Sequence, residues 1–293
     1  MAIQVLGFPT TLGLPRKAVR HAPEALRAAG LISSLQRLAG TVEELGDLPL
    51  EAGNRQEPVP VQVRKVVEAA RRQADLWVRM HKPGHLMLTL GGDHTTSLGT
   101  IWALHRMGQP FDVVWIDAHG DFNIIETSPS GNVHGMVLAL ACGLLPDYMP
   151  AITSPADLHL WGIRDLDPGE RDLLVRERVE VLDPAQTRHQ WERIVSRLKP
   201  NILLSFDLDS CDPADAPGTM TPVPGGFYRQ EALEMVAYLA RHRRVMALDL
   251  VELHPDYDQE HVTTRLAHDV AATVVTAQAE RRLGTGFSAA AGH

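Results

Sequence analysis

Seven short, nearly continuous apolar runs punctuate the chain, at Ile3–Gly7, His85–Leu90, Asp112–Ile116, Leu158–Trp161, Val179–Leu182, Ile202–Phe206 and Val245–Leu250. A strand with one wet face alternates apolar and polar residues, whereas a run that is apolar throughout is buried on both faces. Helix-like stretches separate the runs. Ala22–Ala29 carries Pro23 in its first turn, where the missing N–H costs nothing, and Val61–His81 is rich in Ala, Arg, Glu and Gln. Doubly buried strands alternating with helices demand a parallel sheet covered on each side, an α/β fold. Residues 51–60 read as a polar, Pro-containing loop, and no internal repeat or low-complexity segment appears. One domain over residues 1–293 is the simplest organisation, with residues 284–293 expected to form a frayed, flexible tail.

In open α/β sheets ligands bind beyond the carboxyl ends of the strands. Three of the runs are followed there by acids and imidazoles: Gly91-Gly92-Asp93-His94, Asp117-Ala118-His119-Gly120-Asp121 and Asp207-Leu208-Asp209. Alternate residues of an extended chain point the same way, so Asp117, His119 and Asp121 are expected to converge, as are Asp207 and Asp209. Alone, a histidine after a strand is more often a hydrogen-bonded loop residue, and an Asp-x-Asp is usually a turn or a cap. Together, the acids Asp93, Asp117, Asp121, Asp207 and Asp209 would repel one another strongly without a cation. Two imidazoles with four carboxylates form a mostly oxygen set. It suits Mn²⁺, Co²⁺ or Fe²⁺ better than it suits structural zinc, which favours thiolates. Six ligands exceed what one catalytic ion with an open position needs. Two ions sharing carboxylates, roughly 3.5–4 Å apart, fit the number.

The remaining composition narrows the partners. With 36 acidic against 28 basic side chains, the formal charge of −8 argues against nucleic acid or an anionic membrane and agrees with a cationic substrate. Cys142 and Cys211 stand apart, which excludes a disulfide framework and a Cys-rich zinc site and suits a reducing cytoplasm. The start, MAIQVLGFPTTLG, lacks the pattern of a signal peptide, and no apolar run is long enough for a transmembrane helix. A cytoplasmic protein is expected.

The segments GGDHTTSLG, WIDAHGDFN and SFDLDSCDPADAPGTMTPVPGG resemble the three metal motifs of the ureohydrolases, the arginase and agmatinase family, with the pattern nearest that of bacterial-type arginases. The likeness extends over nearly the whole chain. It implies a three-layer α/β/α fold around a mainly parallel sheet of about eight strands, and a cofactor of two Mn²⁺ ions per subunit. Carried over residue by residue, the metal ligands are His94, Asp117, His119, Asp121, Asp207 and Asp209. A hydroxide held between the ions would attack a guanidinium carbon, giving a tetrahedral intermediate that collapses to urea and an amine. A guanidinium carbon is a poor electrophile, so an activated nucleophile is chemically required. The resemblance further implies a homotrimer or homohexamer.

It also implies roles around the metals. Asn123 and Ser130 match positions that hold a substrate α-carboxylate, Asp167 one that holds an α-ammonium, and Glu252 the guanidinium-binding acid. His134 matches a proton shuttle, a task suited to an imidazole of pKa ~6.5. Thr221 matches a threonine near the substrate. Read without the resemblance, Asp167-Pro168-Gly169-Glu170 is a helix start with Asp167 as its cap. L-Arginine is the substrate these groups imply, since agmatine would leave the carboxylate site idle. N-Hydroxyarginine or another modified arginine, agmatine, guanidinobutyrate and formimidoylglutamate are the alternatives. A catalytically silent homologue would be marked by loss of a ligand, and none is lost. The chain departs from the family at Met220 in Gly218-Thr219-Met220-Thr221-Pro222, at Ala18 and Ala22, at Val137 and at His254. Met220 replaces a glycine and is expected to reshape the pocket or the backbone.

Overall fold

The computed structural model describes residues 1–14 and 17–289. Its strands, β1 (Ala2–Phe8), β2 (Thr41–Asp47), β3 (Leu86–Gly91), β4 (Asp112–Ile116), β5 (Leu158–Trp161), β6 (Glu180–Leu182), β7 (Asn201–Asp207) and β8 (Arg244–Val251), form one sheet in the order β2-β1-β3-β8-β7-β4-β5-β6. Every pairing is parallel. The helices are α1 (Ala22–Ala28), α2 (Leu31–Ala39), α3 (Val59–Met80), α4 (Thr96–Met107), α5 (Val137–Ala141), α6 (Pro168–Arg176), α7 (Pro184–Arg197), α8 (Arg229–His242) and α9 (Val262–Ala289). The expected tail at 284–293 lies outside the described residues, except for the helical backbone as far as Ala289.

Neighbouring strand residues feed two separate cores. Val114 and Ile116 pack with α1, α2, α7, α8 and α9, while Val113 and Trp115 pack with α3, α4, α5 and α6. Both faces are therefore dry, which is why these strands are apolar throughout and why three layers result. The strand missing from the seven sequence runs is β2, TVEELGD. It is an edge strand with mostly exposed or half-buried residues, and its acids face Arg27 and Lys82. Edge strands carry charge because their open side meets water, so β2 lacks the apolar signature.

The order of the sheet sets up the site. β3, β8, β7 and β4 lie side by side at its centre, with Leu90 opposite Leu250, Phe206 opposite Leu250 and Ile116 opposite Phe206. Their carboxyl ends are thus level; β3, β4 and β7 lead into the three acid and imidazole motifs, and β8 leads into Glu252.

Candidate metal centre

His94 enters from the loop after β3 and stacks flat on Trp115, with ring centroids 3.8 Å apart and planes 6° from parallel. Its Nε2 hydrogen bonds to the Ser205 hydroxyl at 2.8 Å, which turns Nδ1 towards the acids. Nδ1 lies 3.0 Å from Asp117 Oδ2, 3.2 Å from Asp121 Oδ2 and 3.1 Å from Asp207 Oδ2, yet is aligned for a hydrogen bond with none of them. On the neighbouring side, His119 Nδ1 lies 3.3 Å from Asp117 Oδ1 and 3.2 Å from Asp209 Oδ2. His94, Asp117 and Asp121 form one group able to hold a metal ion, and Asp117, His119 and Asp209 form another. Asp117 belongs to both, as a carboxylate shared by two ions requires.

The convergence comes from turns and not from strand alternation. Asp117 to Gly120 have left the sheet, and Asp121 has a left-handed φ of 48°. Asp207 ends β7, whereas Asp209 sits in a 3₁₀ turn, Leu208–Ser210, whose Asp209 N–H donates to Asp207 Oδ1 at 2.8 Å. The turn sends Asp207 towards His94 and Asp209 towards His119. The sequence expectation that these two acids share one locus is corrected in this way: they reach the two halves of the centre.

The field at these groups calls for positive charge. Burial works against a charged His94, but Asp117, Asp121 and Asp207 raise its pKa well above the ordinary value. Burial, Asp209 and Asp117 push Asp207 well above the carboxylate range. Burial and Asp117 likewise raise Asp121. An imidazole nitrogen aimed among three carboxylates, with no aligned partner, is the donor set of a divalent cation, so the residues fit such an ion.

Outer partners hold the set in place. Trp115 Nε1 donates to Asp117 Oδ2 at 2.9 Å, and Thr221 Oγ1 donates to Asp209 Oδ2 at 2.9 Å. Thr221, expected near substrate, therefore touches an acid of the metal groups as well as the cavity beside them. That cavity, about 210 Å³, is lined by His119, Asp121, Asn123, Ser130, His134 and Asp167, among others. Its acids include Asp165 and Glu170, and no Lys or Arg lines it among the described residues. Burial pushes the Glu170 carboxyl up to about 8.

The remaining expected residues are distributed as follows. Asn123 Nδ2 donates to Asp167 Oδ2 at 3.0 Å across the cavity wall. Asp167 does stand at the N-cap position of α6, but its side chain accepts no hydrogen bond from the helix. The helix starts where the sequence reads it, with Pro168 first, but without the side-chain cap: the carboxylate faces Asn123, and Glu170 Oε1 accepts the N–H of Phe122 at 2.8 Å. Ser130 is exposed at the cavity mouth and accepts the Asn132 N–H. Glu252, 1% exposed with φ 64°, is not among the residues lining the cavity but contacts His134, which is. Its Oε1 accepts the His94 N–H at 2.9 Å and meets His134 Nδ1 at 3.1 Å, while Oε2 has no protein partner. Burial lowers and Glu252 raises the His134 pKa, with a net rise to about 9. Met220 is partly buried, has no left-handed φ and is not among the residues lining the cavity.

Sequence reasoning passed over Trp115, Ser205 and Asp165, although each stands within two residues of a metal motif or of Asp167. Asp165 Oδ2 approaches His119 Nε2 at 3.8 Å. Glu170 was visible only as a helix residue, because its turn towards Phe122 depends on tertiary packing.

Comparison with known proteins agrees with this geometry. The Arginase family profile matches residues 1–276. An arginase of Bacillus caldovelox is 34% identical over 284 residues, covering 90% of this chain and 95% of its own. The solved native arginase structure from that organism superposes with a TM-score of 0.86 at 32% identity, covering 94% of this chain and 98% of that one. A hypothetical agmatinase from Burkholderia thailandensis gives 0.70 at 29% identity, over 97% of this chain and 87% of that one. With a metal-ready cluster at the carboxyl ends of three central strands and a family match over almost its whole length, this chain belongs to the arginase family of amidinohydrolases.

Proposed function

We propose that the protein hydrolyses L-arginine to L-ornithine and urea with two Mn²⁺ ions held by His94, Asp117, His119, Asp121, Asp207 and Asp209. When bound, the metal pair supplies a water ionised near neutral pH and a Lewis acid for the guanidinium. The chain's own residues do the rest. Glu252 binds guanidinium N–H groups through the carboxylate oxygen that no protein donor fills. Asp121 holds the metal and borders the substrate. His134, hydrogen bonded to Glu252, passes a proton to the departing amine. Ser130 and Asn123 receive the α-carboxylate, Asp167 receives the α-ammonium, and Thr221 borders the same cavity.

The observation carrying this reading is the Asn123–Asp167 pair on the wall of the His134 cavity. A substrate with a guanidinium at one end and an α-amino acid at the other uses both the inner acids and this pair. Neutral donors for the carboxylate suit a cavity whose described lining includes several acids and no Lys or Arg. Urea release across a panel of guanidino compounds with added Mn²⁺ tests the proposal. L-Arginine is expected to turn over far faster than agmatine. Equal or reversed rates would transfer the assignment to another guanidino substrate, a reading favoured by the likeness to a hypothetical agmatinase.

The family likeness also supports a single domain acting as a homotrimer or homohexamer, and the two separate cysteines suit a reducing cytoplasm. Among the described residues no helix is long and apolar enough to cross a membrane. Sedimentation of the manganese-loaded protein distinguishes the two assemblies.

A further inference from the structure

Asp93 is the acid of the first motif that enters neither metal group, although it is fully buried. Its carboxylate is occupied by the protein itself. Oδ2 accepts the N–H groups of Gly13 and Leu14 at 2.8 and 3.0 Å, and Oδ1 accepts the N–H of Thr95 at 3.0 Å together with the Thr95 hydroxyl. The Asp93 N–H in turn donates to the Thr10 carbonyl at 3.0 Å. A carboxylate with four donors is a strong anchor. What it anchors is the loop after β1, residues 10–14.

That loop touches the proposed proton carrier. The His134 N–H donates to the Gly13 carbonyl at 3.3 Å. The approach is so close that a Cβ on Gly13 would stand 2.7 Å from His134 N and 2.3 Å from Thr95 Cγ2. His134 is thus gripped twice: its ring by Glu252 at 3.1 Å, and its backbone by the loop that Asp93 holds. A proton carrier must lie within hydrogen-bond reach of the group it serves. A misplacement of about 1 Å can cost about 10²-fold in rate.

We infer that Asp93 is a positioning residue for His134, acting through Gly13 and the 10–14 loop and not as a metal ligand. The inference rests on the role proposed above for His134. It gives the acid next to His94 a task separate from that of its neighbour. It also explains why residue 13 carries no side chain in a segment where no turn with positive φ demands glycine.

The test uses the full-length, manganese-loaded protein and the variants Asp93→Asn and Gly13→Ala. The amide introduced by Asp93→Asn would set N–H against N–H at one edge of the former carboxylate. The methyl introduced by Gly13→Ala would press directly on His134. Metal content per chain, hydrogen exchange of peptides covering residues 10–14 and 132–137, and steady-state urea release are measured for each. Both variants are expected to keep the wild-type metal content and to exchange faster in both segments. Their kcat is expected to fall by about 10- to 100-fold with KM little changed. Loss of metal from Asp93→Asn would overturn the inference, and so would faster exchange confined to residues 10–14 with kcat intact. If Asp93→Asn does not fold, Gly13→Ala decides the matter by the same three readings. A wild-type protein that releases no urea would sink the proposed function, while the metal and exchange readings would still report on the anchor.

Discussion

At the carboxyl ends of the strands His94 sits among three carboxylates, and at the amino ends His159 sits between two. His159 Nδ1 lies 2.6 Å from Glu180 and Nε2 lies 3.6 Å from Asp112. The two places share residue types but differ in cations. At the amino end Lys199 bridges Asp112 and Asp157 at 3.1 and 2.6 Å, and Arg197 pairs with Glu180 at 2.9 Å. At the carboxyl end the neighbouring guanidinium of Arg164 is spent on the backbone carbonyls of Gly162, Asp209, Ser210, Cys211 and Val223. The electrostatics divide accordingly. Burial tends to raise Asp112, but His159 and Lys199 hold it below the carboxylate range, whereas Asp121 and Asp207 are driven above theirs. Acid count alone does not mark a metal site; acids left unbalanced by protein cations do.

Breaking the unbalanced end gives the largest effect. Asp121→Ala and Asp209→Ala should each lose manganese and turnover, by more than the ~10–100-fold typical of an outer partner. Full activity in a variant depleted of metal would end the two-metal reading. Stripping the wild type with a chelator comes next. A ligand present at about 100 times its Kd stabilises by about 2.7 kcal/mol, which for a chain this size is a Tm shift of roughly 4–5 °C. The comparison predicts that chelation lowers Tm and that manganese restores it; a Tm indifferent to chelation would contradict the charge argument.

The balanced end should respond in the opposite sense. His159→Gln leaves Asp112 and Glu180 short of a partner and should destabilise by about 1–3 kcal/mol, with metal content and kcat kept. Loss of metal in that variant would erase the distinction between the two ends. Its pH dependence has a definite sign. Asp112 and Glu180 raise the folded pKa of His159 despite burial, so its contribution is complete below the unfolded value of ~6.5 and fades as pH rises through the folded one. The Tm gap between wild type and His159→Gln should therefore narrow as pH rises above the unfolded value of ~6.5. The smallest effect is expected at Met220. It does not line the cavity, so Met220→Gly should leave the order of substrates unchanged, as the guanidino panel would show.

The chemistry was legible in the sequence where local pattern and tertiary position coincide. Apolar strands such as DVVWI and LHLW are buried on both faces, and their bounds follow from composition alone. The ligand-type residues stand out because a parallel sheet puts one end of every strand at the same level. What could not be read is where side chains turn after leaving the sheet. Asp209 parts from Asp207 through a 3₁₀ turn, and Asp167 faces Asn123 and not its own helix. The first is a turn closed locally, with Asp209 N–H on Asp207 Oδ1, and the second a contact 44 residues away in sequence. β2 was hidden for the opposite reason: an edge strand with charged residues satisfies water before it satisfies a periodicity.

Asp121 and Glu252 occupy left-handed backbone at φ 48° and 64°, a region that costs a residue with a Cβ about 1–3 kcal/mol. Glycine at either place would relax the chain. A selection for heat tolerance that ignores turnover would thus be drawn towards these two codons, and the hardiest survivors would be inert. Two of the easiest gains in robustness lie where the protein has least freedom to accept them.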